Sequence, residues 1–179
     1  MKLRLAFSTL TVAALFGSYF SIAADQAEQP ASPLDAVPEK MPFNTPYGAP
    51  ISLQRAQALA QAAVAEAAKH GWPLNVAVVD SGGNLVTFLR MDGAQLASIA
   101  ISEHKARVAV KFRRPTKAFE DAIQKLDYKY MLTLDDVIAS RGGIPLIEAG
   151  RIIGGIGCSG ATSSQDEVVC AAAAATIGK

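Results

Sequence analysis

The chain has 179 residues, half of them apolar, with a formal net charge of +1. That length suits one folded domain. So balanced a charge lacks the basic surface on which nucleic-acid binders rely, so nucleic acid is excluded as a partner.

Residues 1–23 read as a secretory signal peptide. Lys2 and Arg4 form a short basic start, Leu5 to Phe20 is mostly apolar, and Ser21-Ile22-Ala23 offers small residues before a cleavage point. The apolar run is short for a membrane span, and no later segment is long and apolar enough to cross a bilayer. The expectation is a periplasmic or secreted protein, off the membrane once the signal is removed. Residues 24–50 hold Pro30, Pro33, Pro38, Pro42, Pro46 and Pro50. That density prevents regular structure and predicts an extended tether or a strap along the surface. Phe43 and Tyr47 suggest that its end docks on a neighbour.

The folded domain is expected over residues 51–179. Ser52 is a good N-cap. From Leu53 to Lys69, apolar residues recur at helical spacing, and Gly71 ends the helix. Leu74 to Val79 and Leu85 to Met91 read as two strands joined by the turn Asp80-Ser-Gly-Gly-Asn84. Gln95 to Phe112 reads as a second helix, stopped before Pro115. Thr116 is placed to cap a third, running to Lys125, and residues 126–140 form a connection with helical turns. A second hairpin follows, Ile144 to Glu148 and Arg151 to Gly157, turning at Ala149-Gly150. Ser163 or Ser164 would cap the last helix, with Glu167 completing a capping box. The order α-β-β-α-α-β-β-α predicts a single α/β domain of α+β type, an antiparallel sheet built from two hairpins with helices packed on it.

Gly155-Ile-Gly157-Cys-Ser-Gly160 spells G-x-G-x-x-G, the outline of a dinucleotide fingerprint. That motif needs a βαβ unit and an acidic residue about 20 positions further on. Here the glycine strand belongs to a hairpin and the chain ends within one helix, so no dinucleotide site is expected. The glycines instead allow close approach of strand and helix. Backbone N–H groups at the start of the last helix are a further place for an anion. Cys158 and Cys170 either bridge, as an exported chain allows, or remain buried thiols.

Few residues offer chemistry. His70 sits at the end of the first helix, where it suits the helix dipole. His104 shares a stripe with Ala97, Ile101, Val108 and Phe112 and is expected on the apolar face of its helix, where an imidazole needs a hydrogen bond or a metal. Downstream, Lys111, Arg113, Arg114 and Lys117 bracket a helix break and would cradle carboxylates. An apolar helix face with a histidine beside a basic turn suits an amphiphilic dianion, and haem with its two propionates is one. His104 is then the candidate iron ligand, with Met91 as second choice. No constellation identifies catalytic residues, and whether the protein is an enzyme stays open.

The segments "VAVVDSGGNLVTFLRMDGA" (76–94), "KARVAVKFRRPTKAFED" (105–121) and "GGIPLIEAGRIIGGIGCSGATSSQDEVVCAAAA" (142–174) resemble the GlcG/HbpS family, the haem-degrading-domain family, over roughly residues 51–177. The resemblance implies a compact α/β fold with an antiparallel sheet and self-assembly from dimer to octamer. It also implies haem as a cofactor in some exported members, while other members accompany glycolate or diol metabolism. Matching positions include Asp80, Arg90, Met91, Lys105, Arg113, Arg114, Thr116, Ser159, Gln165 and Asp166. His104 and the cysteine pair fall outside that pattern. The cofactor-binding candidates are therefore His104, Met91, Lys105, Arg113, Arg114 and Thr116. Three functions compete: an exported oligomeric haem-binding protein, an enzyme or accessory protein for a small glycolate-like carboxylate, and a ligand-free scaffold.

Overall fold

The computed structural model describes residues 33–177. The expected signal segment lies outside the described residues. Residues 33–36 belong to a first unit and hold one 3-10 turn, Pro33–Asp35; the second unit begins at Val37 and carries the fold.

Helix α1 (Leu53–His70) is capped by Ser52 and ends at Gly71, whose φ of 67° suits glycine. Strands β1 (Asn75–Asp80) and β2 (Leu85–Arg90) form the first hairpin. Asp80 closes it through Oδ1, which accepts from the amides of Gly82 and Asn84 at 2.8 and 2.9 Å. Burial opposes the charge on that carboxyl, but the amides prevail and hold it below the usual carboxylate range. Helix α2 (Ser98–Lys111) and helix α3 (Lys117–Leu126) follow, then a 3-10 turn at Lys129–Thr133. Strands β3 (Gly143–Glu148) and β4 (Arg151–Ser159) make the second hairpin, and α4 (Ser163–Ala174) closes the domain. Ala149 and Gly150 both have positive φ, as a two-residue type I′ turn requires. The four strands lie in the order β2-β1-β4-β3, all antiparallel. The element order expected from the sequence is the one observed.

The two faces of the sheet are packed differently. On one, α1 and α4 cover Val76, Val78, Leu146 and Ile156, each worth roughly 2 kcal/mol on burial. On the other, α2 lies across β1, β3 and β4. There the strands offer Ala77 and Val79 with Gly155 and Gly157, and α2 offers Ser98, Ser102, Lys105, Ala106 and Ala109. The glycines are obligatory. A Cβ on Gly157 would sit 2.0 Å from the Ser102 carbonyl oxygen, and one on Gly155 would sit 2.7 Å from that of Ala106. The G-x-G-x-x-G stretch is thus a helix-on-strand seat, with Gly155 and Gly157 paired to Val79 and Ala77 of β1.

The cysteine alternatives resolve to a disulfide between Cys158 of β4 and Cys170 of α4, with Cα atoms 5.7 Å apart. The end of the proline-rich segment docks as a strap: Tyr47 bridges Ile152 in parallel, and Ile51 donates to the Ile153 carbonyl.

Three local expectations need correction. Thr162, not Ser163 or Ser164, caps α4, and Gln165 completes the capping box, because Glu167 is drawn to Arg141 at 3.2 Å. Thr116 makes no side-chain cap on α3; its buried Oγ1 accepts instead from the Gly143 amide at 2.9 Å. On α2 the row Ala97, Ile101, His104 flanks the buried face, and Val108 and Phe112 pack outward against α3. Small and polar residues face the glycine strand, since nothing larger fits there.

Candidate functional site

Of the six candidate residues, Arg113 and Arg114 stand together at one corner, Lys105 and Thr116 meet at Gly143, and Met91 and His104 stand apart. Met91, just past β2, packs with the α1-side core, and its Sδ lies 3.4 Å from the Leu74 amide. His104 is on α2, across the sheet, so the two candidate iron ligands do not share a site. His104 is half-buried, with Nε2 2.9 Å from the Asp136 carbonyl oxygen. A carbonyl only accepts, so Nε2 donates to it, and Nδ1 is the ring nitrogen left to coordinate when the imidazole is neutral.

Lys105 is 1% exposed. Its ammonium donates to Asp166 Oδ2 at 2.8 Å and to the Cys158 carbonyl at 3.2 Å. It passes a sheet edge cleared of side chains by Gly142 and Gly143, tying α2 to α4. Burial pushes the Asp166 carboxyl up, against the pull of Lys105 and of the Ala161 and Gly160 amides. Thr116 is equally enclosed. Both residues are spent on the fold.

Arg113 and Arg114 remain, at the corner between α2 and α3. Helix α2 ends in a Schellman motif, with the Arg114 amide bonded to the Ala109 carbonyl and the Arg113 amide to that of Val110. The left-handed position of this motif, filled by Gly71 at the end of α1, is filled here by Arg113 with φ 56°. A side chain there costs about 1 kcal/mol relative to glycine. The Arg113 guanidinium carbon lies 4.6 Å from the centroid of the Tyr47 ring. That of Arg114 lies 3.9 Å from the Phe43 centroid and 4.9 Å from the Phe119 centroid. Burial lowers the Arg114 pKa from its ordinary value, with Tyr130 opposing. Among the described residues neither guanidinium is within 4.0 Å of a carboxylate, whereas Lys111 pairs with Asp136 and Lys117 with Asp121. Of the four cations read as a carboxylate cradle, two are neutralised by the chain itself and two are left available.

Other candidate surfaces offer less. A groove of about 420 Å³ between α1, the end of β3 and the residues after α4 is lined by Arg55, Glu148 and Ile177 among others, but Arg55 and Glu148 satisfy each other at 2.6 and 3.1 Å. The start of α4, considered above as an anion site, caps itself: Gln165 Oε1 takes the Thr162 amide and Asp166 Oδ1 takes that of Ala161. No group of three or more His, Cys, Asp or Glu side chains suited to a metal ion occurs among the described residues. None of their helices is long and apolar enough to cross a membrane.

Residues 51–175 match the family described as haem degrading protein HbpS-like. The chain belongs to the HbpS-like family. Protein GlcG of Escherichia coli K12 is 38% identical over 109 residues, covering 61% of this chain and 81% of GlcG. A double mutant of HbpS from Streptomyces reticuli superposes with a TM-score of 0.68 at 30% identity, covering 84% of this chain and 99% of that one. A structure described as a PduOC–haem complex gives a TM-score of 0.64 at 30% identity, covering 72% and 95%. The HbpS-like segment begins at residue 51, so Phe43 and Tyr47 lie outside it. In the sequence these two rings suggest docking and no more. Their number and spacing beside a proline run was the available signal, and nothing in it named the arginines as their partners.

Proposed function

We propose that this protein is an exported, self-associating haem-binding protein of the periplasm or the secreted fraction. Arg113 and Arg114 would hold the propionate carboxylates. The observation that carries this is the guanidinium pair itself: two adjacent forks with no carboxylate partner among the described residues, one on a backbone position that favours glycine. Guanidinium forks match carboxylates bidentately. Rings over a guanidinium face leave its in-plane donors for an anion; on Arg114 the Nε–H is already given to the Phe112 carbonyl at 3.3 Å, so the Nη donors are the ones left.

His104 stands nine residues before Arg113, about 14 Å along a helix, with only Nδ1 able to coordinate. Bound haem would supply an iron centre for redox chemistry, with Nδ1 of His104 the atom to meet it. The likeness to a haem-bound PduOC supports the reading. The disulfide supports export to an oxidising compartment. A second reading keeps the same forks for a small glycolate-like carboxylate without iron; it is favoured by the site needing no apolar wall to bind such an anion.

Haemin titration of the mature chain, followed at the Soret band, tests this. Saturable binding is expected, with a spectrum altered in His104→Ala. Arg113→Gly should fold at least as stably as the parent, since glycine relieves the left-handed backbone, yet bind more weakly. Unchanged affinity in Arg113→Gly would remove the arginine pair from the site. Non-saturating absorbance in the parent, beside thermal stabilisation by glycolate, would turn the reading to the small carboxylate.

A further inference from the structure

We propose that Phe43 and Tyr47 of the strap are positioning residues for the anion site, so that the strap, and not the HbpS-like segment alone, sets its preference for carboxylates. This rests on the reading of Arg113 and Arg114 given above. The strap is built into the domain. Tyr47 Oη donates to the Val110 and Lys111 carbonyls, at 3.1 and 3.2 Å, at the last turn of α2. The Gly48 amide donates to the Ile152 carbonyl at 2.8 Å, and the Ile152 amide donates back to the Pro46 carbonyl at 2.9 Å.

From that anchor each ring covers one guanidinium. Phe43 and Phe119 lie on Arg114, and Tyr47 lies on Arg113. Phe43 itself has φ 56°, a left-handed conformation that a bulky residue rarely adopts, and the residue remains 46% exposed. A large apolar side chain is thus held in an unfavourable backbone state, against water, on top of a cation.

The consequence is chemical. An arginine on a surface turn samples many rotamers and keeps its hydration shell. One held over a ring has fewer rotamers and less water on the covered side; Arg114 Nε–H is further tied to the Phe112 carbonyl at 3.3 Å, which leaves the Nη edge for a ligand. A carboxylate meeting such an edge forms charge-assisted bonds in a medium of lower dielectric and orders less of the protein on binding.

The test compares haemin with its dimethyl ester, which lacks the free carboxylates, on the whole chain and three variants. Phe43→Leu keeps bulk but removes the ring. Tyr47→Phe keeps the ring but removes its anchor. Met41→Ala changes an exposed strap residue as control. The parent should prefer haemin over the ester, and Phe43→Leu should shrink that preference by about fivefold. Tyr47→Phe should shrink it less, and Met41→Ala not at all. A loss of general fold would weaken both ligands alike and leave the ratio intact. A ring-current-shifted Arg114 Nε–H resonance in the parent, moved in Phe43→Leu, would report the stacking directly. If the parent binds haemin saturably and the strap variants keep its preference, the strap has no such role and the haem reading stands. If the parent shows no saturable haemin binding, the haem reading fails and this proposal with it.

Discussion

The two faces of one sheet are stabilised by different means. Toward α1 and α4 the strands present Val76, Val78, Leu146 and Ile156, and the helices answer with alanines, Leu59 and Val169. Stability there scales with apolar area, and single side chains are partly interchangeable. Toward α2 the same strands present Gly155 and Gly157, and the helix answers with two serines, small alanines and a buried lysine. There backbone meets backbone, and the space left for any added atom is nil. Asn75 belongs to that second face: its Nδ2 donates to the Gln95 carbonyl, while its buried Oδ1 has no donor among the described residues. A face of this kind contributes placement. It sets where α2 ends, and so where Arg113 and Arg114 stand.

Neighbouring residues of β4 give the sharpest break of that comparison. Ile156→Ala removes three carbons from the aliphatic face and should cost about 3 kcal/mol. Gly157→Ala adds one carbon to the other face, where its Cβ would meet the Ser102 oxygen at 2.0 Å and the Ala106 nitrogen at 2.6 Å. Both contacts are backbone, so no rotamer change relieves them. We expect a loss of roughly 4 kcal/mol or more, seen as failure to fold or a collapse of the urea midpoint. A Gly157→Ala protein as stable as Ile156→Ala would show that α2 can lift off the sheet.

The buried ion pair is the next test. Lys105→Met leaves the Asp166 carboxyl enclosed without its cation and should cost about 3 kcal/mol, read as a fall in the denaturant midpoint. Lys105→Met with Asp166→Leu should recover part of that loss, because no charge is then left buried. If the double variant is no better than the single, the Cys158 carbonyl and the Ala161 amide, not the charge, are what Lys105 and Asp166 serve.

The same contrast explains what was legible in the sequence. Helix α1 was visible because its buried face is apolar at helical spacing, closed by Ser52 and Gly71. The two hairpins were visible in their turn residues, Asp80 to Asn84 and Ala149-Gly150. The inner face of α2 was not, since an apolar count assigns Ser98, Ser102 and Lys105 to solvent and Ile101 and His104 to the core. The corrective signal was the glycine pair opposite, which admits only small residues. The basic corner was legible as four cations around a helix break. Which two of them are free was not, because Lys111 finds Asp136 across 25 residues and a composition cannot pair them. Thr116 looks like a cap in the sequence because hydroxyls commonly cap helices. Its actual partner, the Gly143 amide, is distant in sequence.

The smallest effect separates buried from exposed charge by its sign. On α3, Asp121 lies between Lys117 and Lys125, whose hydrogen bonds hold its carboxyl at about 2, below an ordinary value of 3.8. A carboxyl whose pKa is depressed by folding binds its proton more readily in the unfolded chain. It therefore adds stability above pH 4 and loses it as pH falls through about 2. Asp166 is raised instead, so acid favours the folded state through that group. Thermal midpoints of the parent and Asp121→Asn, measured from pH 5 down to pH 2, should start apart and converge, with the parent falling faster. The gap at pH 5 should be modest, because the site is partly exposed and salt screens it. Parallel curves over the whole range would mean that the two lysines do not hold Asp121 in solution. The acid response of the domain would then have to come from the Glu120–Arg141–Glu167 cluster beside it.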